Sequence, residues 1–111
     1  EKSSAIELLD CLGLADKGEQ WTSTLSRGER QRLAIARTLL AGPVILLADE
    51  PVASLDQDWA EKVLTLLKEK QSQRNGALVC VLHDLEQVER HATHQLTLLE
   101  KEPDGWSFRK V

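Results

Sequence analysis

Leu25 to Asp56 reads LSRGERQRLAIARTLLAGPVILLADEPVASLD, and the fold turns on this stretch. Ser26-Arg27-Gly28-Glu29 has the S-x-x-E spacing of a capping box. In that motif the serine accepts from the amide three residues on, and the glutamate reaches back. The spacing predicts a helix over 26–41, stopped by Gly42-Pro43. Val44 to Ala48 is an unbroken apolar run, which predicts a strand buried on both faces of a parallel sheet. Asp49 and Glu50 close that run and Pro51 stops it. Ser54 or Asp56 then suits the N-cap of a following helix.

Working outward, residues 58–71 carry Val63, Leu64, Leu66 and Leu67 on one side and Glu61, Lys62, Lys68 and Glu69 largely on the other. That is an amphipathic helix. Asn75-Gly76 marks a turn, and 77–82 a second buried strand containing Cys80 as a small core residue. Asp84 caps a short helix over 85–91. Residues 95–99 and 106–110 flank Pro103-Asp104-Gly105 and predict a terminal hairpin. Upstream, Ala5, Ile6, Leu8, Leu9 and Leu12 have helical spacing with Gly13 as the stop, and 14–24 is a polar loop. Strands alternating with helices imply an α/β fold with a parallel sheet.

Composition narrows the classes. The 111 residues allow one small domain. A formal charge of −4 gives no basic footprint for nucleic acid. No apolar run reaches the ~18 residues of a membrane span. There is no methionine, which predicts a segment of a longer protein. Cys11 and Cys80 do not form a CxxC pair and fit a reducing compartment.

Two features carry chemistry. A helix N-terminus beside a glycine offers amides and the positive end of the helix dipole to an anion. Adjacent carboxylates at the C-terminal end of a parallel strand lie where open α/β sheets place their ligands. Asp49 and Glu50 repel one another there, so the pair calls for a cation or a shared proton. His91 and His94 lie on a surface segment without further metal ligands in sequence reach, and read as solvated. Trp21, Trp59 and Trp106 are isolated and read as packing or surface residues, not a base-stacking platform.

The order of these elements resembles the signature motif, Walker B strand and D-loop of the ATP-binding-cassette (ABC) ATPases, with His83 at the place of the family's switch histidine. The resemblance implies the C-terminal part of an ABC-type P-loop NTPase domain, a parallel sheet with flanking helices and a terminal hairpin. Residues 1–28 would end the helical subdomain and form the signature turn, and 29–111 the later catalytic core. It implies that Leu25, Ser26, Arg27, Gly28 and Glu29 face the γ-phosphate of ATP held by another subunit. Asp49 would hold Mg²⁺ through a water. Glu50 would polarise the attacking water, and His83 would contact the γ-phosphate. Ser54, Leu55 and Asp56 would cross the dimer interface. The implied partners are a second ABC ATPase subunit and a transmembrane permease, on the cytoplasmic face of the inner membrane, with no nucleic acid.

Departures from the family pattern matter as much. Arg27 stands where LSGGQ has a further glycine, before the one that Gly28 matches, and would either crowd the phosphate or add positive charge near it. Glu29 replaces the last glutamine. Arg30, Gln31, Arg32 and Arg37 form a solvated charged face or give electrostatic support to the nucleotide, while Leu33, Ala34, Ala36 and Leu40 face the core. No GxxxxGK[ST] phosphate loop occurs in the chain. In this family the Walker A strand runs between the strands placed here at 77–82 and 95–99. Without it the sheet divides into two pairs with apolar inner edges. The isolated chain is then expected to be poorly stable and to bind ATP weakly. Besides a transporter ATPase, the residues suit a non-transport ABC ATPase of translation or DNA repair, or an inactive remnant that pairs with a complete subunit.

Overall fold

The computed structural model describes residues 2–19, 22–100 and 105–111. Trp21 and the Pro103-Asp104 part of the expected turn lie outside them. The chain divides into two compact units, Glu1–Val81 and Leu82–Val111.

The first unit runs α1 (Lys2–Cys11), two short 3₁₀ turns (Ala15–Lys17 and Thr22–Thr24), α2 (Arg27–Leu40), β1 (Ile45–Asp49), α3 (Gln57–Gln73) and β2 (Ala77–Val81). The stretch read as an open loop over 14–24 therefore contains two turns of helix. Strands β1 and β2 pair in parallel, from Ile45↔Ala77 to Asp49↔Val81. The crossover between them is α3, N-capped by Asp56, whose carboxylate accepts from the Trp59 amide at 2.8 Å. The second unit is α4 (Leu85–His91), β3 (His94–Leu98) and β4 (Trp106–Lys110). Asp84 caps α4 by accepting from the Glu86 amide. Strands β3 and β4 pair antiparallel, from His94↔Lys110 to Leu98↔Trp106. Each sheet has two strands, and the division into two pairs is the one expected.

The core of the first unit gathers Leu12, Leu14, Leu39, Val63, Leu64 and Leu67, all almost fully buried. Helix α2 contributes Ile35, Ala36 and Leu39. This corrects the expected core set, because Ala34 and Leu40 are exposed and Leu33 is half-buried. At 3.6 residues per turn, Leu33 and Leu40 lie about 100–160° around the helix from Ile35 and Leu39.

The expectation of strands buried on both faces also fails. Leu46 is buried, with Ala48, Leu78 and Cys80 half-buried beside it. On the alternate positions Ile45, Leu47, Val79 and Val81 are 64%, 75%, 56% and 48% exposed. The pleat sends successive side chains to opposite faces, and one face of this two-stranded ribbon is uncovered. Burial still pushes the Cys80 thiol pKa up. In the second unit Leu96, Leu98, Trp106 and Phe108 are likewise exposed. Registered partners share a face in an antiparallel pair, so these four form one apolar surface with His94, which stacks on Phe108.

Gln71 ties the ribbon to α3. It is only 2% exposed, and its Nε2 donates to the carbonyls of Pro43, Val44 and Ala77 at 3.0, 3.3 and 3.0 Å. Gly76 closes the turn against the same cluster. A Cβ there would lie 2.9 Å from Gln71 Nε2 and still closer to the Val44 carbonyl oxygen.

Candidate functional site

The site begins at the capping box. The Ser26 amide donates to Glu29 Oε1 at 2.9 Å, and the Glu29 amide donates to Ser26 Oγ at 3.1 Å. The Ser26 amide, the Ser26 hydroxyl and the Lys17 ammonium, 3.6 Å from Glu29 Oε2, hold the Glu29 carboxyl below its usual pKa. Ser26 Oγ accepts from the Glu29 amide, and its hydroxyl can still rotate to suit a ligand. The amides of Arg27 and Gly28 occupy the first helical positions, where no intrahelical carbonyl is available. Leu25 is buried and anchors the turn in the core, whereas Ser26 and Arg27 are exposed.

Asp49 and Glu50 are both exposed at the C-terminal end of β1. Glu50 has φ +50°, in the left-handed region. Its amide donates to the Val81 carbonyl at 3.0 Å and its carbonyl accepts from the Ala53 amide at 3.2 Å. Pro51 and Val52 are buried beneath it.

The loop that follows returns to the signature turn. A Cβ at Gly28 would stand 3.6 Å from Leu55 Cδ2 and 3.7 Å from the Ser54 carbonyl oxygen. Residues 25–29 and 54–55 are thus brought together, while Asp56 is occupied as the cap of α3. His83 is exposed in the second unit, directly before the cap Asp84.

Gln31 and Arg32 are not the solvated residues that the charged face suggests. Gln31 Nε2 donates to the Pro51 carbonyl at 2.8 Å. Arg32 donates to the Leu12 carbonyl at 2.7 Å and the Gly28 carbonyl at 3.4 Å. Its guanidinium also lies 4.0 Å from the centre of the Trp59 ring. Gly13, at φ +71°, permits this stack, since a Cβ would fall 2.6 Å from the ring. Trp59 is therefore a partner in a cation–π contact and not an isolated packing residue. Arg30 and Arg37 are exposed as expected. The only sequence signal for the Gln31 and Arg32 contacts was their place on the buried-side flank of α2.

Among the described residues no cluster of three or more His, Cys, Asp and Glu side chains suits a metal. Mg²⁺ asks for less, since it is held by one or two carboxylates, water and substrate phosphates. The hard oxygen donors of Asp49, exposed at the end of β1, fit that requirement.

A capped helix terminus thus packs on the loop that leaves a carboxylate-bearing parallel strand. The family model described as ABC transporter matches residues 1–53. Among curated relatives, the chain is 49% identical over 82 residues to the phosphonates import ATP-binding protein PhnC of Frankia casuarinae, covering 74% of this chain and 32% of that protein. It is 44% identical over 89 residues to the lipoprotein-releasing system ATP-binding protein LolD of Pseudoalteromonas translucida, covering 80% and 38%. An ABC transporter solved in an inward-facing conformation superposes with a TM-score of 0.79 at 30% identity, over 97% of this chain and 42% of that one. The chain belongs to the ABC ATPase family. It spans about a third of the length of the curated relatives it matches.

Proposed function

We propose that this chain supplies the signature, Walker B and D-loop elements of an ATP-hydrolysing ABC transporter subunit. The observation that carries the reading is the packing of Gly28 against Ser54 and Leu55, beside a strand that ends in Asp49-Glu50. Phosphoryl transfer is catalysed by positioning and by charge stabilisation, and these residues offer both. Ser26 and the amides of Arg27 and Gly28 donate to a terminal phosphate presented by a second ABC ATPase subunit. Glu50 accepts a hydrogen bond from the attacking water and orients it. His83 contacts the same phosphate. Asp49 would hold Mg²⁺, which neutralises charge on the phosphate oxygens when bound. Ser54, Leu55 and Asp56 lie at the subunit interface. Arg27 adds a positive charge on the rim of the signature turn.

The relatives named above are ATP-binding proteins of phosphonate import and of lipoprotein release. They favour a transporter over a translation or DNA-repair ATPase, and thus a transmembrane permease as partner at the cytoplasmic membrane face. No described helix is long and apolar enough to cross a membrane. The sequence holds no GxxxxGK[ST], so a Walker A segment must act together with it, and the chain by itself should not bind ATP tightly.

The test is Glu50→Gln in the full-length gene product. Hydrolysis should be abolished while ATP-driven dimerisation persists. Near-normal turnover would remove Glu50 from the mechanism.

A further inference from the structure

We infer that Gln31 is a positioning residue, which locks the backbone behind Glu50 to the phosphate-facing end of α2. The inference rests on the ATPase reading above and deepens it.

The geometry is a three-point clamp on the turn that carries Glu50. The Glu50 amide is held by the Val81 carbonyl, and the Glu50 carbonyl by the Ala53 amide. The third point is the carbonyl of Pro51, which accepts from Gln31 Nε2 at 2.8 Å. Proline has no amide hydrogen, so this carbonyl is its whole backbone hydrogen-bonding capacity. Pro51 is buried, and a buried carbonyl without a donor is unfavourable. Two of the three points are local or sheet bonds. The Gln31 contact joins the turn to the helix whose first residues face the phosphate.

Glu50 needs such a clamp. A glutamate at φ +50° persists only where its surroundings over-determine it. If the Gln31 contact is lost, the turn can relax toward negative φ, which swings the carboxylate away from the water it must orient. Gln31 itself touches no reacting atom. It also lies five residues past the Ser26 cap, so a rigid-body shift of α2 on phosphate binding would pass directly to the Glu50 backbone.

The experiment compares wild type, Gln31→Met and Gln31→Lys in the full-length gene product. Methionine keeps the length of the side chain without an N–H. Lysine restores a donor. Gln31→Met should lower kcat about 10- to 100-fold with KM for ATP nearly unchanged, the size expected of a misplaced catalytic group. Gln31→Lys should recover part of the loss. Exchange of the Ala53 amide with deuterium should quicken in Gln31→Met and return toward wild type in Gln31→Lys. Wild-type kcat in Gln31→Met would overturn the inference. So would equal losses of kcat and melting temperature in both variants, or unchanged Ala53 exchange. Glu50→Gln is the control. Turnover untouched by that change would remove Glu50 from the mechanism, absence of turnover in wild type would sink the ATPase reading, and in either case the Ala53 measurement would still decide the clamp.

Discussion

Replacing Glu50 by glycine should make the protein more stable than replacing it by alanine, reversing the usual order. At ordinary positions glycine is the less stable choice by roughly 0.5–1 kcal/mol, because the unfolded chain gains freedom. At φ +50° the balance changes. A residue bearing a Cβ in the left-handed region costs roughly 1–2 kcal/mol, and glycine avoids that cost. The difference leaves Glu50→Gly about 0.5–1 kcal/mol more stable than Glu50→Ala. Both variants lose the carboxylate and whatever it contacts, so the comparison isolates the backbone. The assay is urea unfolding of the full-length gene product, read as the shift in midpoint between the two variants at a common slope. Both should also be inactive in ATP hydrolysis. If Glu50→Ala were the more stable by the ordinary margin, the strain at Glu50 and the clamp built on it would both be wrong. The expected outcome means that this site holds its carboxylate at the expense of stability.

Three further outcomes follow from the packing. Gly76→Ala should destabilise by about 1–3 kcal/mol, because its Cβ meets the Val44 carbonyl and Gln71 Nε2, which cannot both give way; thermal unfolding and soluble yield check it. A double-mutant cycle of Arg32→Lys with Trp59→Leu should show a coupling of about 0.5–2 kcal/mol, from a guanidinium 4.0 Å from the ring centre; additive effects would refute the stack. The Glu29 carboxyl is held below the usual carboxylate range, so its contribution is present above that range and is lost as pH falls through the lower folded value. Stability measured against pH should show that acid-side loss in wild type and a reduced loss in Glu29→Gln.

Much of α2 was legible in the sequence because its signals are local. The capping box sets its start at Ser26, and Gly42-Pro43 sets its end within a residue. The carboxylate pair was equally legible, since five apolar residues followed by two acids mark a strand exit. What sequence could not give lies in contacts across distance. Gln31 and Arg32 are polar residues in a charged run, yet they bond to carbonyls 20 residues away in each direction along the chain. The strands misled for a related reason. An apolar run reports that both faces can be covered, but α3 covers only one face of β1 and β2, and no periodicity within the run distinguishes the two cases. The left-handed Glu50 was also invisible, because glutamate carries no preference for that region, whereas Asn75, at φ +52°, is a residue type that does.

Helix α2 is pinned at both ends. Near its start Gln31 holds the Pro51 carbonyl, and at its finish Arg74 donates to the Leu39 carbonyl at 3.3 Å. In mechanical terms it is a beam about 21 Å long, at 1.5 Å per residue over its 14 residues. If the pin near its start gives, a beam pivoting on its far end turns a small rotation into a displacement at its tip. A tilt of about 5° about the Arg74 end carries the opposite tip through roughly 2 Å on this pitch. That is enough to make or break every hydrogen bond Ser26 and Gly28 can offer, so the distal pin, far from any phosphate, sets how finely the tip is aimed.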